Sequence, residues 1–262
     1  MALRTSARTH ARARTLIASG GAVVAALVLT GCGSSDTDDA TAEHKAFAFS
    51  GKTLTIDAAN TTLELVPADV KKVEVTRQVD GWVVFGSGPD PRWGMEDGTL
   101  TLKVKCDALI SDCSSRHQVK VPRGVAVTVR GDNGQVVASG FDTPLDLRSD
   151  NGKVTVRDSS GPLKLNSDNG GIVAEGISGS SVQAESDNGQ VRLGFTAVPT
   201  LVDTVSDNGK VTIELPSGGA SYAVSARADN GNTSVKVPRS DDSTHVVKAR
   251  SNNGEVTVRS AN

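Results

Sequence analysis

Ser149-Asp150-Asn151-Gly152-Lys153-Val154-Thr155-Val156 is a phrase that the chain writes repeatedly. Its turn returns as Ser167-Asp168-Asn169-Gly170, Ser186-Asp187-Asn188-Gly189 and Ser206-Asp207-Asn208-Gly209. Looser copies are Asp132-Asn133-Gly134, Asp229-Asn230-Gly231 and Asn252-Asn253-Gly254. The asparagines stand at 133, 151, 169, 188, 208, 230 and 253, so the step grows from 18 to 23 residues. A short period of this kind marks a repeat architecture, whose units bury their apolar faces only against one another.

The residues around each turn keep fixed roles. Five and three residues before the Asp column stand pairs such as Val127 and Val129, Leu145 and Leu147, Leu163 and Leu165, and Val247 and Ala249. Four and six residues after it stand Val136 and Ala138, Val154 and Val156, Val211 and Ile213, and Val256 and Val258. Only Thr204 and Thr233 break the apolar rule in these columns. Polar residues lie between, so each repeat supplies two short strands with one inward and one outward face. Asn-Gly is also the strongest short hairpin signal, and an antiparallel meander would use the same pattern. The turn sequence, however, recurs once per repeat while the other bend varies. A meander has no need for matching turns, whereas stacked coils place each corner against the next. Identical Asn side chains can then hydrogen-bond along the stack. The expected fold is all-β: a β-solenoid, parallel β-helix-like, with coils of 18 to 23 residues. Gly is expected to supply positive φ at each corner.

Upstream, residues 45–130 show irregular alternation, as in Leu54 and Ile56, Leu63 and Leu65, Val73 and Val75, and Leu100 and Leu102. Asn60-Thr61-Thr62-Leu63 reads as a degenerate copy of the turn. One insertion, Asp80 to Gly94, carries both tryptophans and is rich in Gly and Pro. It reads as a loop. Trp82, Phe85 and Trp93 are candidates for a partner-binding surface, or for a lid packed over the core.

The first 31 residues read as an export signal: Arg4, Arg8, Arg12 and Arg14, then an apolar run from Leu16, ending at Leu29-Thr30-Gly31-Cys32. The ending resembles a bacterial lipobox, which implies lipidation of Cys32 (the diacylglyceryl and palmitate type of anchor) and cleavage before it. Residues 32–44 form a polar, acidic tether. The solenoid then occupies residues 45–262, irregular to 130 and regular from 131. The chain would be held on the extracytoplasmic face of the cell membrane.

Cysteine and charge narrow the function. With Cys32 lipidated, Cys106 and Cys113 remain as a pair expected to form a disulfide in an exported protein. The free-thiol reading stands beside it, and His117 is the only nearby histidine that metal binding could recruit. The chain has 28 basic and 30 acidic residues; four arginines leave with the signal, so 24 remain and the net charge becomes −6. No basic patch appears, which argues against nucleic acid. Aromatics number eight in all, so the core must be aliphatic.

The corner column Asp132, Asp150, Asp168, Asp187, Asp207 and Asp229 is the candidate for chemistry. Stacked carboxylates about 5 Å apart repel, and calcium would relieve them. The simpler expectation is that each Asp accepts hydrogen bonds from its own turn and that no cofactor is bound. Catalysis is not expected, because every coil repeats the same Asp where a glycosidase needs one distinct carboxylate pair.

An exported lipoprotein with repeated Asp-Asn-Gly-x-Val-x-Val coils and the punctuation Val121-Pro122-Arg123-Gly124 and Leu215-Pro216-Ser217-Gly218 resembles the bacterial β-strand-repeat lipoproteins grouped as candidate adhesins, a domain family of unknown function. The resemblance implies a β-solenoid at the cell surface and no catalytic residues. The expected function is a non-catalytic adhesin-like binding or scaffold protein of the cell envelope, whose partner is an envelope protein or polysaccharide. The alternatives are a structural or signalling lipoprotein that self-associates through an uncapped C-terminal coil, and a carbohydrate-active β-helix enzyme.

Overall fold

A computed structural model of the chain describes residues 40–261. The expected export signal, the expected lipidation site Cys32 and most of the expected tether lie outside them. The described residues form nineteen β-strands and no helix. In chain order these are β1 (Glu43–Phe47), β2 (Thr53–Ala59), β3 (Thr62–Ala68), β4 (Val73–Glu96), β5 (Thr99–Pro122), β6 (Ala126–Asn133), β7 (Val136–Ser139), β8 (Leu145–Asn151), β9 (Val154–Arg157) and β10 (Leu163–Ser167). They continue as β11 (Ile172–Ile177), β12 (Ser181–Ser186), β13 (Val191–Phe195), β14 (Leu201–Ser206), β15 (Val211–Leu215), β16 (Ala223–Asn230), β17 (Thr233–Lys236), β18 (Val246–Asn253) and β19 (Val256–Ser260).

Each Asp-Asn-Gly turn joins a strand of one sheet to a strand of the facing sheet, and the coils stack in parallel. Leu145 pairs with Val127 on one side and Leu163 on the other, and the same column continues through Val182, Val202 and Val247. The hairpin alternative fails on backbone geometry. A type I′ turn needs positive φ at both central residues. Of the corner asparagines, only Asn60, at the β2–β3 corner, has it.

The inward columns predicted by the repeat are buried in every coil but one. Leu147, Val154, Leu165, Ile172, Val191, Ile213 and Val258 are all essentially inaccessible. The lengthening step is absorbed at the opposite bend, where Phe141, Phe195 and Tyr222 fill the wider end of the core.

The exception is the coil made by β16 and β17, where Val224, Ala226 and Val235 are half-buried and Thr233 is exposed. Coil order explains it. The last coil, β18 with β19, does not sit at the end of the stack. It lies between β14–β15 and β16–β17, pairing with both. The open end expected at the C-terminal coil is therefore presented by the coil before it. The other end shows the same inversion. The first coil, β2 with β3, lies between β6–β7 and the two ends of β5. β4 then pairs antiparallel along β5, and β1 pairs antiparallel with the start of β4.

Candidate functional site

The corner column is a scaffold. Asn side chains form one continuous ladder in spatial order: Asn133 donates to Asn60, Asn151 to Asn133, Asn169 to Asn151, Asn188 to Asn169, Asn208 to Asn188, Asn253 to Asn208 and Asn230 to Asn253, at 2.9–3.0 Å. Beside it runs a buried serine row: the hydroxyls of Ser149, Ser167, Ser186, Ser206 and Ser251 donate to the corner Gly carbonyl of the neighbouring coil. The repeat displayed this serine column openly, yet sequence reasoning gave it no role.

Two expectations about the corner are corrected. Gly152, Gly170, Gly189, Gly209 and Gly254 do not have positive φ; a Cβ on any of them would lie 1.9–2.3 Å from the Gly carbonyl oxygen stacked against it. Glycine is required by close stacking. Nor is Asp tied to its own turn. The amides of Asp168 and Asn169 donate to Ser149 and Asp150 of the coil below, and the same holds at Asp187 and Asp207. The carboxylates face outward and meet arginine where one is near. Arg148 bridges Asp150 and Asp168, at 3.3 and 2.9 Å. Arg227, then Arg250, hold the Asp229 carboxyl below its ordinary range. Among the described residues, no group of three or more His, Cys, Asp or Glu is placed to hold a metal ion.

The distinctive site lies where the ladder ends. Coil one turns its corner through Asn60 and Thr61. In the neighbouring β5, Lys103 pairs beside Ala59 and Arg116 beside Thr62, so residues 104–115 are inserted at that same corner. β4 follows them in antiparallel register, with an irregularity between Ser87 and Asp90. The result is a two-stranded arm. Its base is stitched to the corner: Asn60 Nδ2 donates to Val104 O, Ser115 Oγ to Asn60 O, and Thr61 Oγ1 to Ser115 O. The Cys106–Cys113 disulfide closes its neck at a Cα–Cα distance of 6.6 Å. Seven extended residues would span about 23 Å, so β5 turns back between the cysteines.

The arm separates the three aromatic candidates. Trp82 is 50% exposed and Phe85 86%, and Phe85 has φ of 54°. A bulky side chain in the left-handed region costs of order 1–3 kcal/mol, which the surrounding structure must impose. Trp93 is elsewhere. It packs edge-to-face on Phe47 with ring centroids 6.3 Å apart, and the Arg77 guanidinium lies 4.1 Å over its ring. Trp93 thus packs against the core, while Trp82 and Phe85 are exposed. His117 is fully buried, with Thr61 Oγ1 2.7 Å from Nδ1. Burial, then the charge of Arg77, lower its pKa to about 4. A histidine in an alternating strand gave no sequence signal of this.

Comparison with known proteins adds the following. The family model Toastrack DUF4097 matches residues 96–262. Among curated protein sequences none matches. Similar solved structures include a candidate adhesin from Bacteroides fragilis, 13% identical with a TM-score of 0.42, covering 84% of this chain and 97% of that one. Others are a candidate cell adhesion protein from Clostridium sporogenes (10%, TM-score 0.34, covering 85% and 100%) and a candidate adhesin from Parabacteroides distasonis (14%, TM-score 0.33, covering 85% and 98%).

Proposed function

The chain belongs to the Toastrack DUF4097 family, and we propose that it is a lipid-anchored, extracytoplasmic binding protein that works without catalysis. The observation that carries this reading is the arm. Trp82 and Phe85 are exposed on a disulfide-closed ribbon, at the corner where the repeat is interrupted. Exposed aromatics on a rigid support make efficient contact surfaces, because little side-chain entropy is lost on binding. The partner is an envelope component, protein or polysaccharide. The lipobox-like Leu29-Thr30-Gly31-Cys32 and the polar tether support the anchor. The non-catalytic part rests on the corner carboxylates, which repeat from coil to coil and face solvent or arginine.

The test uses the full-length protein in its own cells. Trp82→Ser with Phe85→Ser should leave the melting temperature unchanged, since both side chains are exposed, and should abolish retention on isolated cell wall or on the membrane-protein fraction. The fraction that loses the protein identifies the partner class. Unchanged retention on both would remove the arm from the binding surface. For the anchor, Cys32→Ala should prevent incorporation of labelled palmitate and release the protein from the membrane.

A further inference from the structure

We infer that the exposed edge formed by β16 and β17 is a self-association surface, at which a second copy of this chain pairs antiparallel about a two-fold axis. The inference stands on the far end of the stack and does not depend on the role of the arm. Among the described strands β16 pairs with β18 alone and β17 with β19 alone, and the free side is covered just before β16, where Tyr222 pairs with the Pro238–Ser240 segment. Ala223 N–H donates to His245 O on the β18 side. Alternation along a strand therefore turns the N–H and C=O groups of Val224, Ala226 and Ala228 toward the open edge. The inward side chains of the same residues are only half-buried, so backbone and core end open at one place.

The chemistry of that edge fits its own copy. Its inward row is small and apolar: Val224, Ala226 and Ala228, with Val235 and Val237 on the other sheet. Its outward row on β16 reads Ser225, Arg227, Asp229. A two-fold axis runs β16 against itself antiparallel. In the register that sets Ala228 opposite its copy, Arg227 faces Asp229 of the second copy, and the reverse pair forms at the same time. Neither β16 nor β17 contains proline, the usual guard of an exposed edge; Pro238, two residues after β17, pairs only beside Tyr222 and leaves Val224 to Ala228 open.

The opposite end is guarded. There the outer strand β4 carries Pro89 and Pro91, β1 covers its other half, and Trp93 packs on Phe47. Head-to-tail growth is therefore blocked, and the edge-to-edge contact closes on two copies.

Sedimentation of the purified full-length protein at micromolar concentrations decides the matter. The expected species is a dimer. Ala226→Pro removes an N–H that points to the open side, so it should yield a monomer that keeps the wild-type circular dichroism spectrum. Should that variant fail to fold, Arg227→Glu serves, since the Arg227 side chain and the ion pair it makes with Asp229 both lie at the surface, where such a pair contributes little to stability. It sets like charges opposite each other and should weaken the dimer about tenfold or more. A wild-type monomer overturns the inference, even if it captures a strand from another protein. A dimer that survives both substitutions overturns it as well, because the contact then lies elsewhere.

Discussion

At the scale of single residues, the corner shows how one letter can be right for an unforeseen reason. Asn was expected to ladder and does, because coils repeat at strand spacing and each amide both donates and accepts. Gly was expected for its φ, yet most corner glycines are needed because a carbonyl oxygen occupies the place of a Cβ. That contact exists only between coils, so no local reading of Asp-Asn-Gly could reveal it. Asp was expected to accept from its own turn, but stacking had already claimed those amides, leaving the carboxylates for Arg148, Arg227 and Arg250. The glycine argument has a direct consequence. Gly170→Ala would bring Cβ to 2.3 Å of Gly152 O, a backbone atom that cannot move without parting the coils. It should cost about 3 kcal/mol or more in urea melts. Gly218→Ala, with nothing within 4 Å of its Cβ, should change stability by less than about 0.5 kcal/mol. Equal effects would refute the stacking account.

At the scale of elements, the regular strands were legible because period two and the repeat period agree, as in Leu163, Leu165, Ile172 and Ala174. The 24-residue β4 and β5 were not. Gly81, Gly86, Gly88, Pro89 and Pro91 punctuate β4 as a loop would. The antiparallel partner that overrides this local preference is β5, joined to it at Asp97-Gly98. His117 shows what that pairing creates. It faces Arg77 across the ribbon, buried and neutral, with a pKa near 4 against an ordinary 6.5. Its contribution to stability is therefore complete above pH 6.5. Below that, the unfolded chain takes up a proton that the folded chain refuses, so stability falls until the folded pKa of about 4 is reached. The loss from this group should total about 3 kcal/mol. Urea melts between neutral pH and the folded pKa should show His117→Gln with a shallower pH slope than wild type. Parallel slopes would mean that burial does not depress this histidine.

At the scale of the described unit, the order of coils in space differs from their order in the chain, and this was the least legible feature. Any coil with Val, Leu, Ile or Ala in its four inward columns can stack on any other, so the repeat itself carries almost no information about sequence of stacking. One residue did carry some. Thr233 is polar in an otherwise apolar column, and it belongs to the outermost coil, where it is exposed. The competing arrangement, with each coil on its chain predecessor, would have exposed Val256 and Val258, both of which are fully buried. Placing β18 and β19 inside therefore buries the more apolar coil; the two coils differ in these columns only where Thr233 stands against Val256, so the gain is that of burying one Val in place of one Thr, about 1 kcal/mol. Val235 and Val258 pair in register on adjacent coils, which makes them a matched test. The measurement is best made in the Arg227→Glu background at low protein concentration, so that association contributes least. Val258→Asp should cost more than about 4 kcal/mol, because a carboxylate is forced into the closed core. Val235→Asp, at the half-exposed edge, should cost about 1 kcal/mol. Stacking in chain order requires the opposite ranking, with the final coil the tolerant one, so the two substitutions separate the topologies.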